Sequence, residues 1–166
     1  MTVVAPAVTL LAGVLSALLA GFYLAFSLTV MPALGRLSDA VMVSVMQTTN
    51  RVIVRTGFVV LFLGAPVVAV VAFVLALVTG APVLAVAIGA LLQIASLVIT
   101  VTVNVPLNNA LDRADPGDVD DAGHPGDAGG GSAGVTRARA AFERPWVRAH
   151  GVRTAVTTLG AVALLL

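Results

Sequence analysis

Four long apolar blocks, separated by polar stretches that hold every basic residue, limit what this chain can fold into. Each block supplies the roughly 20 apolar residues that a helix needs to cross the hydrocarbon core of a bilayer. None shows the alternation of a membrane β-barrel strand, so helices are the remaining way to satisfy the backbone in lipid. The sequence therefore predicts membrane-spanning helices, at about residues 8–31, 54–79, 82–104 and 147–166.

Composition excludes a soluble domain. Charged residues make up 10% of the chain and hydrophobic residues 59%, whereas about 25% of a soluble domain is charged. The 166 residues leave no room for a second folded unit beside four spans. We therefore expect an all-α fold, an integral membrane four-helix bundle that forms one domain over residues 1–166. A Gly/Asp-rich segment, about 112–135, is predicted to be a mobile loop.

The distribution of arginine predicts the orientation. All nine basic residues are arginines and lie within 36–55 and 113–153. If each block crosses once, both arginine-bearing stretches lie on the same side of the membrane. Loops rich in basic residues are found on the cytoplasmic side, so that side should be cytoplasmic. The N-terminus, the 79–82 turn and the C-terminus should then be non-cytoplasmic. We expect a multi-pass protein of the cell membrane whose partners are membrane lipids, with no nucleic-acid partner.

Local signals refine the predicted helices. Residues 40–51 form an amphipathic pattern preceded by Ser38 and Asp39, either of which can cap a helix, and this predicts a helix at the cytoplasmic interface. Gly80 is expected to end the second span as a C-cap. Pro145 and Trp146 are expected to open the last helix, with Trp146 in the aromatic belt of the membrane interface.

Small residues recur at intervals of four along the first helix. This stripe allows another helix to approach closely, and it consists of Gly13, Ala17, Gly21 and Ala25. It predicts either tight packing inside one bundle or a homo-oligomer seam, and the sequence leaves both open.

Polar residues gather at the arginine-bearing ends of the last three spans: Gln47, Asn50, Arg51, Asn104, Asn108, His150 and Arg153. Arg153 is the most unusual, since the thirteen residues after it are too few to cross the bilayer. It must therefore lie in the apolar layer or at its edge, where arginine costs about 2.5–3.5 kcal/mol at mid-membrane. No carboxylate lies at that depth to pair with it. Its partner could be an amide, a carbonyl, a lipid phosphate or an anionic ligand, or the arginines could simply extend to phosphates as anchors.

Cofactor motifs are missing from the sequence. There is no cysteine, no cluster of residues with metal-ligand spacing and no phosphate-binding or dinucleotide fingerprint. We expect no metal and no cofactor.

Several short motifs resemble a family of small bacterial membrane proteins described as anthrone oxygenase-like. In chain order these are 21–27 (GFYLAFS), 30–34 (VMPAL), Met46-Gln47-xx-Asn50-Arg51, 104–108 (NVPLN) and Trp146-xxx-His150-xx-Arg153. The resemblance covers most of the chain except the Asp/Gly loop. It departs from the family's pattern at His150, a position associated with asparagine.

The resemblance implies O₂-dependent oxidation of an anthrone-like or quinone-like apolar aromatic molecule at the cytoplasmic face. Removal of the anthrone C10 proton gives an electron-rich enolate that can react with O₂. On that hypothesis His150 is the base, and amides with an arginine hold the oxyanion. The implied catalytic residues are His150, Asn104 and Arg153, and the implied substrate-binding residues are Gln47, Asn50, Arg51 and Asn108. The alternative is a non-enzymatic membrane module that binds lipid or quinone or supports a partner protein.

Overall fold

The computed structural model describes residues 3–115 and 132–166, and these are helical almost throughout, with no strand among them. In chain order the elements are α1 (Val4–Ala25), a π-helical turn π1 (Phe26–Val30), α2 (Met31–Leu34), α3 (Asp39–Ile53), α4 (Phe58–Thr79), α5 (Leu84–Ile99), a second π-helical turn π2 (Thr100–Asn104), α6 (Val105–Asp112) and α7 (Ser132–Leu165). The predicted all-α fold is confirmed.

Three helical stretches are long and apolar enough to cross a membrane: Val4–Leu34, Phe58–Thr79 and Leu84–Asp112. These correspond to the first three predicted spans. The helix α7, which contains Arg148, His150 and Arg153, is not among them. The fourth span therefore stays a prediction at this point.

Four long helices pack around one another. Both α1 and α5 contact α4 on one side and α7 on the other. The α5–α7 contact is especially close, because a Cβ atom on Gly89 would lie 2.5 Å from Leu164 Cγ and one on Gly160 would lie 2.8 Å from Gln93 Nε2. Glycine is needed at both positions for the backbones to approach this closely.

The helix ends without arginine meet at one end of the molecule. Ala5, Pro82 and Leu166 line the same small cavity there. The turn between α4 and α5 is closed by Gly80, whose φ of 70° suits glycine, as its predicted role as a C-cap requires. The side of the membrane that this end faces stays a prediction.

The small-residue stripe of α1 is divided between two environments. Gly13 is buried, and a Cβ atom there would lie 2.6 Å from Leu165 Cδ2, so this residue packs within the chain. Ala17, Gly21 and Ala25 are exposed. Those three remain available to a second copy of the chain, and the homo-oligomer seam stays a prediction.

The first and third spans continue beyond their expected ends. The first helix runs through Pro32 to Leu34, and the third runs through Pro106 to Asp112. In each case the π-helical turn ends two residues before the proline. The amphipathic helix expected over 40–51 is α3, and Ser38 precedes it with extended backbone but without a side-chain capping bond.

Two helix starts differ from expectation. The second span begins at Phe58, because residues 54–57 form turns between α3 and α4. The expectation that Pro145 opens the last helix was wrong, since Pro145 lies inside α7, which begins at Ser132. Residues 116–131, which make up most of the predicted mobile loop, lie outside the described part of the chain.

Candidate active site

A cavity of about 350 Å³ lies at the arginine-bearing end of the molecule. Its walls are mostly aromatic and aliphatic side chains: Phe22, Phe26, Met46, Ile53, Val54, Phe58, Val59, Phe62, Leu63, Val105 and Trp146. Five polar residues complete the lining: Thr49, Asn50, Thr100, Asn108 and Arg153. An apolar cavity with a few polar groups is typical of a site for a small organic molecule.

Arg153 is the charged residue of this lining. It is only 8% exposed. Its Nη1 donates to Thr100 Oγ1 at 3.2 Å, and Nε and Nη2 lie 2.9 and 2.7 Å from His150 Nδ1. Its Cζ lies 4.4 Å from the centre of the Tyr23 ring, a cation–π contact. These bonds leave a second N–H on each terminal nitrogen without a hydrogen bond to the described residues.

Within residues 3–115 and 132–166, no carboxylate pairs with Arg153. Its positive charge is therefore balanced by neutral acceptors and by the face of an aromatic ring. A buried charge without a counterion is costly, and a ligand that brings a negative oxygen would relieve that cost.

His150 lies behind Arg153 and is not part of the cavity lining. It is 2% exposed, its ring stacks on Trp146 at 4.6 Å, and its Nε2 lies 3.0 Å from the Tyr23 carbonyl oxygen. Because Nδ1 faces a guanidinium, which only donates, Nδ1 must be the acceptor and Nε2–H the donor. Both ring nitrogens are thus engaged. In this arrangement His150 positions Arg153.

The three asparagines predicted for the site differ in position. Asn108 lines the cavity, and its Oδ1 accepts from Trp146 Nε1 at 2.8 Å. Asn50 also lines the cavity, and its Nδ2 is buried without a partner among the described residues. Asn104 lies deeper, where Nδ2 donates to the Trp146 carbonyl at 3.5 Å and Oδ1 has no partner in the described part of the chain. Asn50 therefore has an unused donor beside the cavity.

Gln47 and Arg51 lie away from the cavity. Gln47 Nε2 donates to the carbonyls of Leu111 and Ala114 at 2.9 and 2.7 Å. Arg51 Nε donates to Asp112 Oδ1 at 3.0 Å, and its side chain is 58% exposed. Both residues fasten α3 to the end of α6, and the structure does not bring either of them to the cavity as a substrate-binding group.

Tyr23, Thr100 and the packing role of Trp146 were missed by sequence reasoning. Tyr23 is fully buried, and its hydroxyl lies beside Thr100 without hydrogen-bond geometry. Trp146 is 3% exposed, so it packs inside the protein and not in an aromatic belt. Tyr23 and Trp146 could have been identified from the sequence, because each is the single residue of its type in the chain and each lies inside one of the motifs.

A polar clamp beyond the membrane segments holds α7 against the α2–α3 connection. Arg139 donates to the Gly35 and Leu37 carbonyls at 3.1 and 2.8 Å and to Asp39 Oδ1 at 2.9 Å. Thr136 Oγ1 donates to Asp39 Oδ2 at 2.6 Å. The hydrogen bond from Thr136, with a further contribution from Arg139, holds the pKa of Asp39 below its ordinary value of 3.8. This clamp fixes the part of α7 that leads into the site.

Comparison with known proteins gives one match. No curated protein and no solved structure matched the chain. The family model described as anthrone oxygenase matches residues 51–163. This range is more than half of the 166 residues, and it includes Asn104, Asn108, His150 and Arg153. The suspected resemblance is confirmed, and the chain belongs to the anthrone oxygenase family.

Proposed function

We propose that this protein oxidises a flat hydroxyaromatic molecule of the anthrone type with O₂, and that the substrate reacts as its anion beside Arg153. The observation that carries the proposal is the guanidinium of Arg153, without a carboxylate partner among the described residues, on the wall of an aromatic cavity. Family membership supports the reaction class. A flat aromatic ring system suits walls formed by Phe22, Phe58 and Phe62.

The chemistry needs a stabilised anion more than it needs a cofactor. Loss of one C10 proton converts an anthrone into its enolate, and the negative charge resides largely on the oxygen. Reaction with O₂ forms a C10–O bond and thus a peroxide, and loss of the second C10 hydrogen as a proton, with cleavage of the O–O bond, gives the quinone carbonyl. The other oxygen atom leaves as water, so one anthrone and one O₂ yield one anthraquinone and one H₂O.

Arg153 and the lining amides have separate roles in this proposal. Arg153 donates to the enolate oxygen, and Asn50 and Asn108 orient the ring system from the α3 and α6 sides. His150 can accept the C10 proton only after Arg153 has moved from Nδ1 to the substrate oxygen. His150 therefore acts first as a positioning residue, and it becomes the base when the substrate binds.

The same proposal places the site in the cell membrane near the cytoplasmic face. The C-terminal part of α7 packs on α1 and α5, two helices that are apolar enough to span. This packing supports α7 as a fourth span whose polar residues face inward. The arginines lie at the cavity end, which favours that end as cytoplasmic.

Oxygen uptake by the purified protein with a dihydroxyanthrone tests the function. We expect uptake with formation of the anthraquinone, and a fall of kcat/KM by about 10- to 150-fold for Arg153→Gln, the loss of one hydrogen bond to a charged group. Arg148→Gln is the matched control, since Arg148 is exposed on the same helix. It should retain the wild-type rate.

The outcome separates the enzyme from the non-enzymatic module. Uptake that is equal in wild type and Arg153→Gln contradicts the role of Arg153. Absence of uptake, together with tight binding of a quinone or a lipid, supports the module instead. Flavin or haem absorbance in the purified protein would contradict the cofactor-free mechanism.

A further inference from the structure

The cavity lies where two neighbouring helices separate. The helix α4 packs along α5. The segments that follow α5 leave α4. Both π2 and α6 pack on α7, α6 also packs on α3, and neither packs along α4 as α5 does. The first turns of α4 and the π2–α6 segment thus border a gap, and residues from both sides of it line the cavity.

The border of this gap is apolar and exposed. Val54 before α4, Leu63 on α4 and Val105 on α6 all line the cavity, and they are 64%, 47% and 40% exposed. Residues that face both the cavity and the outside mark a mouth. Leu63 belongs to a helix that is long and apolar enough to span a membrane, and so is the stretch Leu84–Asp112 that contains Val105. With both helices in the bilayer, as proposed above, the mouth opens toward lipid.

We infer that this mouth is a lateral entrance from the bilayer, and that the ligand enters as a neutral, lipid-dissolved hydroxyaromatic molecule and ionises only at Arg153. The inference rests on the proposed function for the ligand class and for the role of Arg153, whereas the entrance itself rests on the exposed apolar rim of the cavity. A neutral aromatic molecule crosses the apolar rim without losing favourable hydration, whereas its anion would have to be desolvated first. Arg153 lies on the cavity wall, so charge is stabilised only after entry.

Fluorescence of the single tryptophan gives a test that does not depend on turnover. Trp146 lines the cavity and is 3% exposed, so a quencher has to reach it through the mouth. In vesicles of phosphatidylcholine brominated on its acyl chains, we expect quenching of Trp146, and we expect none from aqueous iodide. A hydroxyanthraquinone, which is related to the product and inert to O₂, should enter from the same lipid phase and displace the acyl chain.

Narrowing the mouth should slow the exchange. We expect Val105→Phe to reduce acyl-chain quenching and to slow association and dissociation of the hydroxyanthraquinone by a similar factor, at least several-fold. Val74→Phe is the matched control, because Val74 is an exposed valine on α4 outside the cavity lining. It should leave both measurements unchanged.

Two results would overturn the entrance. One is efficient quenching by iodide with little from the brominated lipid, which would indicate an opening to water. The other is unchanged ligand exchange in Val105→Phe, with affinity retained as evidence that the cavity is intact. Neither result decides whether the protein consumes O₂ with an anthrone, so the entrance and the proposed reaction can fail separately.

Discussion

The arrangement around Arg153 makes a quantitative prediction about the ionisation of a bound ligand. A hydroxyanthraquinone in the cavity should place its phenolic oxygen within reach of the unused N–H groups of Arg153. A hydrogen bond from a charged donor contributes about 1.5–3 kcal/mol. The phenolate accepts this bond much more strongly than the phenol, so the protein should lower the pKa of the bound phenol by about one to two.

The absorption spectrum measures this directly, because the phenolate absorbs at longer wavelength than the phenol. The ligand is titrated in vesicles with wild-type protein, with Arg153→Gln and with Arg148→Gln. Wild type and Arg148→Gln should show the lowered pKa of the ligand. Arg153→Gln should show the value of the ligand in lipid alone or a higher one, because the remaining cavity is apolar.

A single result would refute the reasoning. If the bound ligand has the same pKa in wild type and Arg153→Gln, while both proteins bind it with measurable affinity, then Arg153 does not stabilise an anion in the cavity. The guanidinium would then serve the packing of Tyr23 and His150 alone. The oxidation proposal would lose the observation that carries it.

Three further predictions concern stability and assembly. Gly89→Ala should destabilise the protein by about 1–3 kcal/mol, because the new methyl group overlaps Leu164 of α7. Gly64→Ala is the control and should be neutral or slightly stabilising, because its methyl group meets nothing within 4 Å. Unfolding in mixed micelles measures both variants. Because the pKa of Asp39 is lowered on folding, the stabilising effect of its bond to Thr136 should be complete above pH 3.8 and lost as the pH falls through the lowered value. The difference in unfolding free energy between wild type and Asp39→Asn should therefore be constant near neutral pH and should decrease toward zero in acid. Gly21 is exposed with open space around it, so Gly21→Leu should prevent cross-linking of a homodimer in vesicles, and a wild type that never cross-links would exclude the seam.

Much of the fold follows from the sequence because lipid leaves few alternatives. Long apolar runs have to be helical, and three of them have the length and hydropathy of membrane spans. Helix bounds were less predictable. Pro32, Pro106 and Pro145 suggested helix ends, but a proline inside a packed helix is accepted when a wider turn or neighbouring helices accommodate its missing N–H group.

The candidate site was predictable in part, for a geometric reason. His150 and Arg153 are three residues apart on one helix, so their contact follows from helical spacing. The separation of Gln47 and Arg51 from the cavity does not follow from spacing, because it depends on how α3 turns against the end of α6. Contacts between residues far apart in the chain, such as the one between Tyr23 and Arg153, require the packed structure.

The two π-helical turns each contribute a residue to the cavity, one near the end of the first predicted span and one near the end of the third. Met31 N–H bonds the Phe26 carbonyl and Val105 N–H bonds the Thr100 carbonyl, each five residues back and each directly before a proline. The wide turn accommodates the proline ring, and such turns are frequent at functional sites. The first turn contributes the aromatic ring of Phe26 to the cavity, and the second contributes the hydroxyl of Thr100 that holds Arg153. The two π-helical turns therefore supply one apolar and one polar residue of the cavity lining, as the binding of a flat, ionisable molecule there would require.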